Sequence, residues 1–384
     1  MGLELFSLPV WGAPSEHRLE ATRGIAVAVT VVLSIASGLV GASPAHADDW
    51  RDREWQLDFL RAEEVNNISE GDGVAVAVVD TGVNGNHPDL TGSVLKGTDF
   101  AGGDGWRDTE GHGTAMASLI AGHGHGTHGQ DGIRGLAPKA KILPISGDSR
   151  HGLESKLLRQ AKVLNLSLGR GGLELAINDA FKADLVVIAA AGNTDQGDSG
   201  VQAPANHPGV IAVSGVDESG DFTNKSVQGP EVVLSAPAVH LAGAWAGNRG
   251  NYAVATGTSG AAALVSGTAA LIRAKYPNIS ANGVINRLIS TADDKGTPGR
   301  DPKYGYGVVN PLRALTADVP DLKYNPLLKG APGPTVTPTK AAGGSPADGN
   351  SHANIGLTLA IIAGMVALAI IATGVVVLTR NRNR

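Results

Sequence analysis

Three side chains with complementary chemistry stand far apart in this chain. Asp80 comes near the end of GVAVAVVDTGV (Gly73 to Val83), His112 opens GHGTAMASLIAG (Gly111 to Gly122), and Ser259 lies in GTSGAAALVSG (Gly257 to Gly267). Serine alone is a poor nucleophile at neutral pH. At a tight turn into a helix its hydroxyl is exposed beside backbone N–H groups that can bind an oxyanion. A histidine can take the hydroxyl proton, and an aspartate can hold that histidine in the useful tautomer. Each residue also has an ordinary reading. A strand-end aspartate caps a turn, a histidine at a helix start is a cap or surface residue, and one serine in a small-residue run proves nothing. The case rests on their occurring together, one at a strand end and two at helix starts.

The stretches around them must supply those positions. The near-continuous Val/Ala run before Asp80 suits a central parallel strand covered on both faces. LVVIAAAGN (Leu185 to Asn193) reads as a second buried strand, running into the turn residues Gly192 and Asn193. KVLNLSLG (Lys162 to Gly169) reads as a third. Catalytic groups gather at the C-terminal ends of strands in open α/β sheets. AVATGTSGAAALVSGTAALI is apolar enough to suggest a membrane span, but its Gly, Ser and Thr residues argue for a core helix. His87-Pro88-Asp89-Leu90 reads as a turn, and Asp293-Asp294 as a solvated one.

At 384 residues the chain has room for two or three domains, or for one large domain with appendages. The formal net charge of −5, with no basic block in the body, disfavours a nucleic-acid partner. Cysteine is absent, which excludes disulfides and zinc-thiolate sites. GHGHGTHGQDG (Gly122 to Gly132) holds His123, His125 and His128 but no carboxylate or thiolate at a fixed spacing. It reads as a flexible Gly-rich loop near the rim of the site in preference to a metal site. No cofactor and no metal are expected.

Both ends carry export and membrane signals. Arg18 and Arg23 precede the apolar run from Gly24 to Ala42, and Ala45-His46-Ala47 comes before Asp48 and Asp49. This is the pattern of a secretory leader cleaved after Ala47; an uncleaved anchor is the alternative. Residues 48–72 form a short extension whose Trp55, Leu57, Phe59 and Leu60 suit packing on a larger domain. The arm is too short to fold alone and leaves no room for a folded pro-domain. Residues 320–354 are rich in Pro, Gly, Thr and Ser and read as a disordered linker. Residues 355–378 are uncharged and long enough to span a bilayer. The basic tail 379–384 follows, which puts it in the cytoplasm and residues 73–319 outside.

The sequence resembles the subtilisin-like serine proteases. The resemblance is carried by VVDTGVNGNHPDL around Asp80, GHGTAMASLIAG around His112, AAAGN ending at Asn193, and GTSGAAALVSG around Ser259. It covers roughly Trp50 to Ala317, closing with YGYGVVNPLRAL. With its C-terminal span the chain looks most like the mycosins, membrane-anchored proteases associated with type VII secretion in actinobacteria. The resemblance implies a three-layer α/β fold with a mainly parallel sheet. It implies an Asp80-His112-Ser259 triad, with the Asn193 amide and the Ser259 N–H receiving the oxyanion; an ordinary Gly-Asn turn is the plain reading of Asn193. It also implies that Ser167, Leu168 and Gly169 pair with the peptide backbone and form one wall of the first specificity pocket, with Ala190, Ala191 and Gly192 as the other.

Three features depart from the family. Gly260 stands where a large apolar residue normally follows the serine, which suggests a void. Ala263 replaces a usual proline. The crossover GDSRHGLESKLLRQA is short, though about a dozen residues suffice for a parallel connection. The expected function is an exported, membrane-anchored endopeptidase acting on peptides or proteins, in the company of secretion-machinery membrane proteins. The alternatives are a scaffold component of a secretion complex that needs little proteolysis, and a leader-peptide processing protease.

Overall fold

The computed structural model describes residues 49–146, 155–167, 169, 172–247 and 250–328. The expected leader, the transmembrane span 355–378, most of the linker, Leu168 and the loop Gly147 to Gly152 lie outside the described residues. Among the described residues no helix is long and apolar enough to cross a membrane.

After a 3-10 turn at Arg51–Arg53, the described residues run through two short helices, α1 (Trp55–Phe59) and α2 (Ala62–Asn66), followed by strands β1 (Ala75–Asp80) and β2 (Thr98–Asp99). Helix α3 (His112–Ala121) leads to β3 (His123–His125), β4 (Asp131–Arg134) and β5 (Lys141–Ser146). Next come α4 (Ser155–Leu158), β6 (Val163–Leu166), α5 (Glu174–Lys182), β7 (Val186–Ala190), β8 (Ile211–Val216) and β9 (Val232–Pro237). The hairpin β10 (Leu241–Ala244) and β11 (Tyr252–Ala255) precedes α6 (Thr258–Lys275), α7 (Ala281–Thr291) and α8 (Pro311–Thr316).

Seven strands form one sheet in the order β2-β5-β1-β6-β7-β8-β9, and every pairing in it is parallel. The two-residue periodicity of a strand divides the core. Val76, Val78, Ile142, Val163 and Ile188 face one side with helices α3 and α6, while Ala77, Val79, Leu143, Leu164 and Val187 face the other with α5. These strands are apolar throughout because both faces are covered. Despite the short crossover, β6 pairs with β1 from Val76↔Val163 to Val79↔Leu166.

Helix α6 is the core helix. Fifteen of its eighteen residues are buried, from Thr258 to Arg273. Its small residues let it lie close to the sheet, which accounts for an apolar run interrupted by Gly, Ser and Thr. Asn165 on β6 ties it down: Ser266 Oγ lies 3.0 Å from Asn165 Oδ1, and both residues are fully buried.

Residues 49–72 are built into the body. Leu60, Ala62 and Val65 are buried in the main core, with Trp55, Leu57 and Phe59 packed against it. Trp55 Nε1 donates to the Val239 carbonyl at 3.0 Å, and Asn66 Nδ2 to that of Leu136 at 2.9 Å. Both Glu54 carboxylate oxygens accept from the Arg134 N–H, and burial pushes this carboxyl up to about 8. At the other end the chain stays on the body past residue 319. Asn325 Nδ2 donates to the Gly209 carbonyl at 3.0 Å, and Leu327 packs against the core.

The histidine-rich stretch corrects the expectation of a flexible loop. β3 and β4 pair as an antiparallel hairpin. His125 Nδ1 sits 2.6 Å from Asp89 Oδ1, and Ile133 N donates to Asp89 Oδ2 at 2.7 Å. Asp89 is fully buried. A buried carboxylate needs such partners, and the hairpin supplies them. His123 Nε2 lies 3.0 Å from the Thr91 carbonyl oxygen. These side chains organise the hairpin against the turn at His87 to Leu90.

Candidate active site

The site lies at the C-terminal edge of the sheet. β1 ends at Asp80, which is buried. Helix α3 begins beside it because residue 113 has no side chain. A Cβ on Gly113 would overlap the Gly82 carbonyl oxygen and stand 3.0 Å from Asp80 Cβ. That close approach brings His112 Nδ1 to 2.7 Å from Asp80 Oδ1. Asp80 Oδ1 also accepts from the Thr81 N–H at 2.8 Å. Among the described residues Asp80 Oδ2 has no hydrogen-bond partner. Burial disfavours the imidazolium, but the Asp80 charge and hydrogen bond, together with the charges of Asp108 and Glu110, more than offset it, and His112 titrates above the ordinary histidine value.

Asp108 is a site residue that the sequence reading missed. It is buried, and its carboxylate accepts from the N–H groups of Gly111 at 2.8 Å and Thr114 at 2.9 Å. It also accepts from the hydroxyls of Thr114 at 2.6 Å and Thr81 at 3.0 Å. These bonds satisfy donors that the start of α3 leaves open and fix His112 on its turn. The available signal was an aspartate just ahead of a helix start. Asp108→Ala is expected to lower stability by about 2–3 kcal/mol, because it strips several buried donors of a charged acceptor. Urea unfolding of the purified domain would measure it, and a loss under about 0.5 kcal/mol would contradict this role.

Ser259 lies in the first turn of α6. Its Oγ donates to the Ser167 carbonyl at 2.9 Å, and Ser167 Oγ donates back to the Ser259 carbonyl at 3.0 Å. The serine hydroxyl is thus turned toward the end of β6, and among the described residues it makes no hydrogen bond to His112. Loose catalytic hydrogen bonds are common in unliganded sites, and rotation about the Ser259 Cα–Cβ bond re-aims the hydroxyl.

Asn193 follows β7 and is held by the same helix. Its Oδ1 accepts from the Thr258 N–H at 2.9 Å and from Thr258 Oγ1 at 3.2 Å, which leaves Nδ2 as its outward donor. Its own N–H donates to Asp198 Oδ2 at 2.8 Å. Thr258, like Asp108, was not singled out from the sequence; it orients the amide through backbone and hydroxyl together.

Two cavities meet at these residues. The larger, of about 310 Å³, is lined by Ser167, Gly169, Ala190, Ala191 and Gly192, with Asp198 and Gln202 beyond. Strand β6 stops at Leu166, one residue short of Ser167, where its pairings with β1 and β7 also end. The second cavity, of about 100 Å³, runs along α3 and the β10–β11 hairpin. His112, Asn193, Gln196 and Ser259 line both. No residue of 49–72 lines either.

Gly260 leaves no void at its own position. A Cβ there would overlap Leu241 Cδ1 and stand 3.4 Å from Leu119 Cδ1. Leu241 occupies the space that a larger residue at 260 would claim.

The subtilase family model matches residues 71–307. The chain belongs to the subtilase family. This subtilase is 36% identical over 276 residues to a thermostable alkaline protease of Halalkalibacterium halodurans, a match covering 68% of this chain and 73% of the relative. It is 31% identical over 345 residues to mycosin-1 of Mycolicibacterium smegmatis, covering 71% of this chain and 75% of that one. Among solved structures it is similar to MycP1 from the ESX-1 type VII secretion system. There the TM-score is 0.60 and the identity 29%, over 74% of this chain and 90% of that one. The subtilase is therefore a subtilisin-like serine peptidase, acting on peptide or protein substrates and related to the mycosins.

Proposed function

We propose that this subtilase is an exported endopeptidase, anchored by residues 355–378, that cleaves peptide bonds through an acyl-enzyme on Ser259 beside a type VII secretion apparatus. The observation that carries the chemistry is the 2.7 Å pairing of Asp80 with His112 at the edge of a cavity that also exposes Ser259 and Asn193. With Nδ1–H donated to Asp80, His112 presents Nε2 as a base. A bound peptide carbonyl draws the Ser259 hydroxyl off Ser167, and His112 accepts its proton as Oγ attacks. Negative charge then builds on the carbonyl oxygen. Asn193 Nδ2 and the Ser259 N–H at the start of α6 are the donors placed to receive it. The imidazolium, stabilised by Asp80, returns the proton to the leaving amine. Water then repeats the sequence on the ester.

The secretion context is supported by the likeness to mycosin-1 and MycP1, and the anchoring by the uncharged run before the basic tail. Intact cells making the full chain are expected to cleave an added peptide, with the activity remaining in the membrane fraction after lysis. A chain ending at residue 354 should release the activity into the medium. Activity confined to the soluble cytoplasmic fraction would overturn the anchored, outward-facing reading.

A further inference from the structure

Asn193 is anchored at two points. Thr258 on α6 holds its side-chain oxygen. The second anchor is Asp198, whose Oδ2 accepts the Asn193 backbone N–H at 2.8 Å. The loop after β7 is shaped to deliver that carboxylate. β7 ends at Ala190, and the Ala191 N–H still donates to the Val213 carbonyl of β8 at 2.9 Å. The Gly192 N–H donates to Thr258 Oγ1 at 3.1 Å. Asn193 is then the first residue past β7 whose N–H meets neither the sheet nor α6. It is buried, so that donor needs an acceptor. A 3-10 turn, Thr194–Gln196, and Gly197 in the left-handed region (φ 88°) fold the chain back. The Asp198 N–H returns to the Asn193 carbonyl at 3.3 Å. Gly192 leaves the carboxylate its place, because a Cβ there would stand 2.8 Å from Asp198 Oδ2.

We propose that Asp198 is a positioning residue for the oxyanion site: its carboxylate fixes the backbone of Asn193, so that Nδ2 meets the carbonyl oxygen under attack. The two anchors divide the work. Thr258 sets the rotation of the side-chain amide, and Asp198 sets the Cα–Cβ bond from which that amide hangs. Precision matters here, since a misplacement of about 1 Å can cost a hundredfold in rate. The acceptor oxygen of Asp198 is what the site uses. Its negative charge, beside the same cavity that Asn193 lines, opposes the growing oxyanion. A neutral side chain with an oxygen in the same place therefore serves as well.

The proposal rests on Asn193 receiving the oxyanion, and the test separates the two. kcat and KM are measured on the full chain, purified in detergent, with peptide p-nitroanilides carrying alanine or lysine before the cleaved bond. Asn193→Ala should lower kcat by about 10²- to 10³-fold, the loss known for the oxyanion asparagine of subtilisin. Asp198→Ala should lower kcat by at least about tenfold on both substrates, with KM within about twofold of the wild type. Asp198→Asn, which keeps an acceptor oxygen, should recover most of that loss. Made in the Asn193→Ala protein, Asp198→Ala should cost less than about twofold more, because the group it positions is gone. A full tenfold loss in that background would overturn the proposal, since Asp198 would then act through something else. So would wild-type kcat in an Asp198→Ala protein shown by urea titration to be folded. A loss confined to KM for the lysine substrate would also overturn it, in favour of direct contact between Asp198 and substrate. Wild-type kcat in Asn193→Ala would instead overturn the oxyanion reading itself.

Discussion

Ser259→Ala should reduce kcat for peptide cleavage by about a million-fold, the loss known for the nucleophile of subtilisin. The size follows from how the groups act together. Without Oγ there is nothing for His112 to deprotonate, and the pairing with Asp80 becomes idle. Binding should survive, because Ser259 is one residue among many in the walls of the two cavities. The substitution also removes the bond from Oγ to the Ser167 carbonyl. The return bond from Ser167 Oγ to the Ser259 carbonyl remains, and so does the contact of Ser266 with Asn165. The fold should therefore hold, and unfolding curves of the two proteins should differ by less than about 1 kcal/mol. A variant that stays folded and keeps more than about a hundredth of the activity would be incompatible with the mechanism. A secretion role independent of cleavage would show separately, as function restored by the same variant in cells lacking the wild type.

Asp80→Asn is expected to lower kcat by about ten thousand-fold, the loss measured for the corresponding change in a trypsin-type triad. The amide keeps the shape of the carboxylate but offers an N–H as well as an oxygen. It can hold the wrong tautomer of His112, and it no longer stabilises the imidazolium. The pH profile should change with it. In the wild type, burial lowers the His112 pKa, while the Asp80 charge and hydrogen bond, with smaller contributions from the charges of Asp108 and Glu110, raise it, and the net value is above 6.5. The imidazole must be neutral to act as a base. The rise of kcat/KM with pH should therefore have its midpoint above 6.5 in the wild type. Removing the Asp80 charge leaves burial as the largest remaining influence, and the midpoint of the residual activity should move down. An unchanged midpoint would show that another group controls the profile.

Much of the frame was legible because its causes are local and repetitive. A strand covered on both faces must be apolar at every position, and β1 reads that way from Ala75 to Val79. A helix start that lies against a strand end needs a residue without a side chain, and Gly113 beside His112 is such a residue. Other features depend on partners far away in sequence, and no periodicity reports those. Ser259 turns toward Ser167, ninety-two positions earlier. Asp108 reaches Thr81, twenty-seven positions earlier, as well as the nearby start of α3. The histidine-rich stretch looked irregular because its organiser, Asp89, lies outside it. Gly260 does border a cavity beside Ser259, but the sequence does not show that Leu241 stands where a side chain at 260 would go.

The most direct measurement of the central claim is the mass of the purified domain after treatment with a peptidyl phosphonate. The wild type should gain one adduct, mapped by proteolysis to Ser259, and Ser259→Ala should gain none. An adduct on any other residue, or labelling of the alanine variant, would contradict the account.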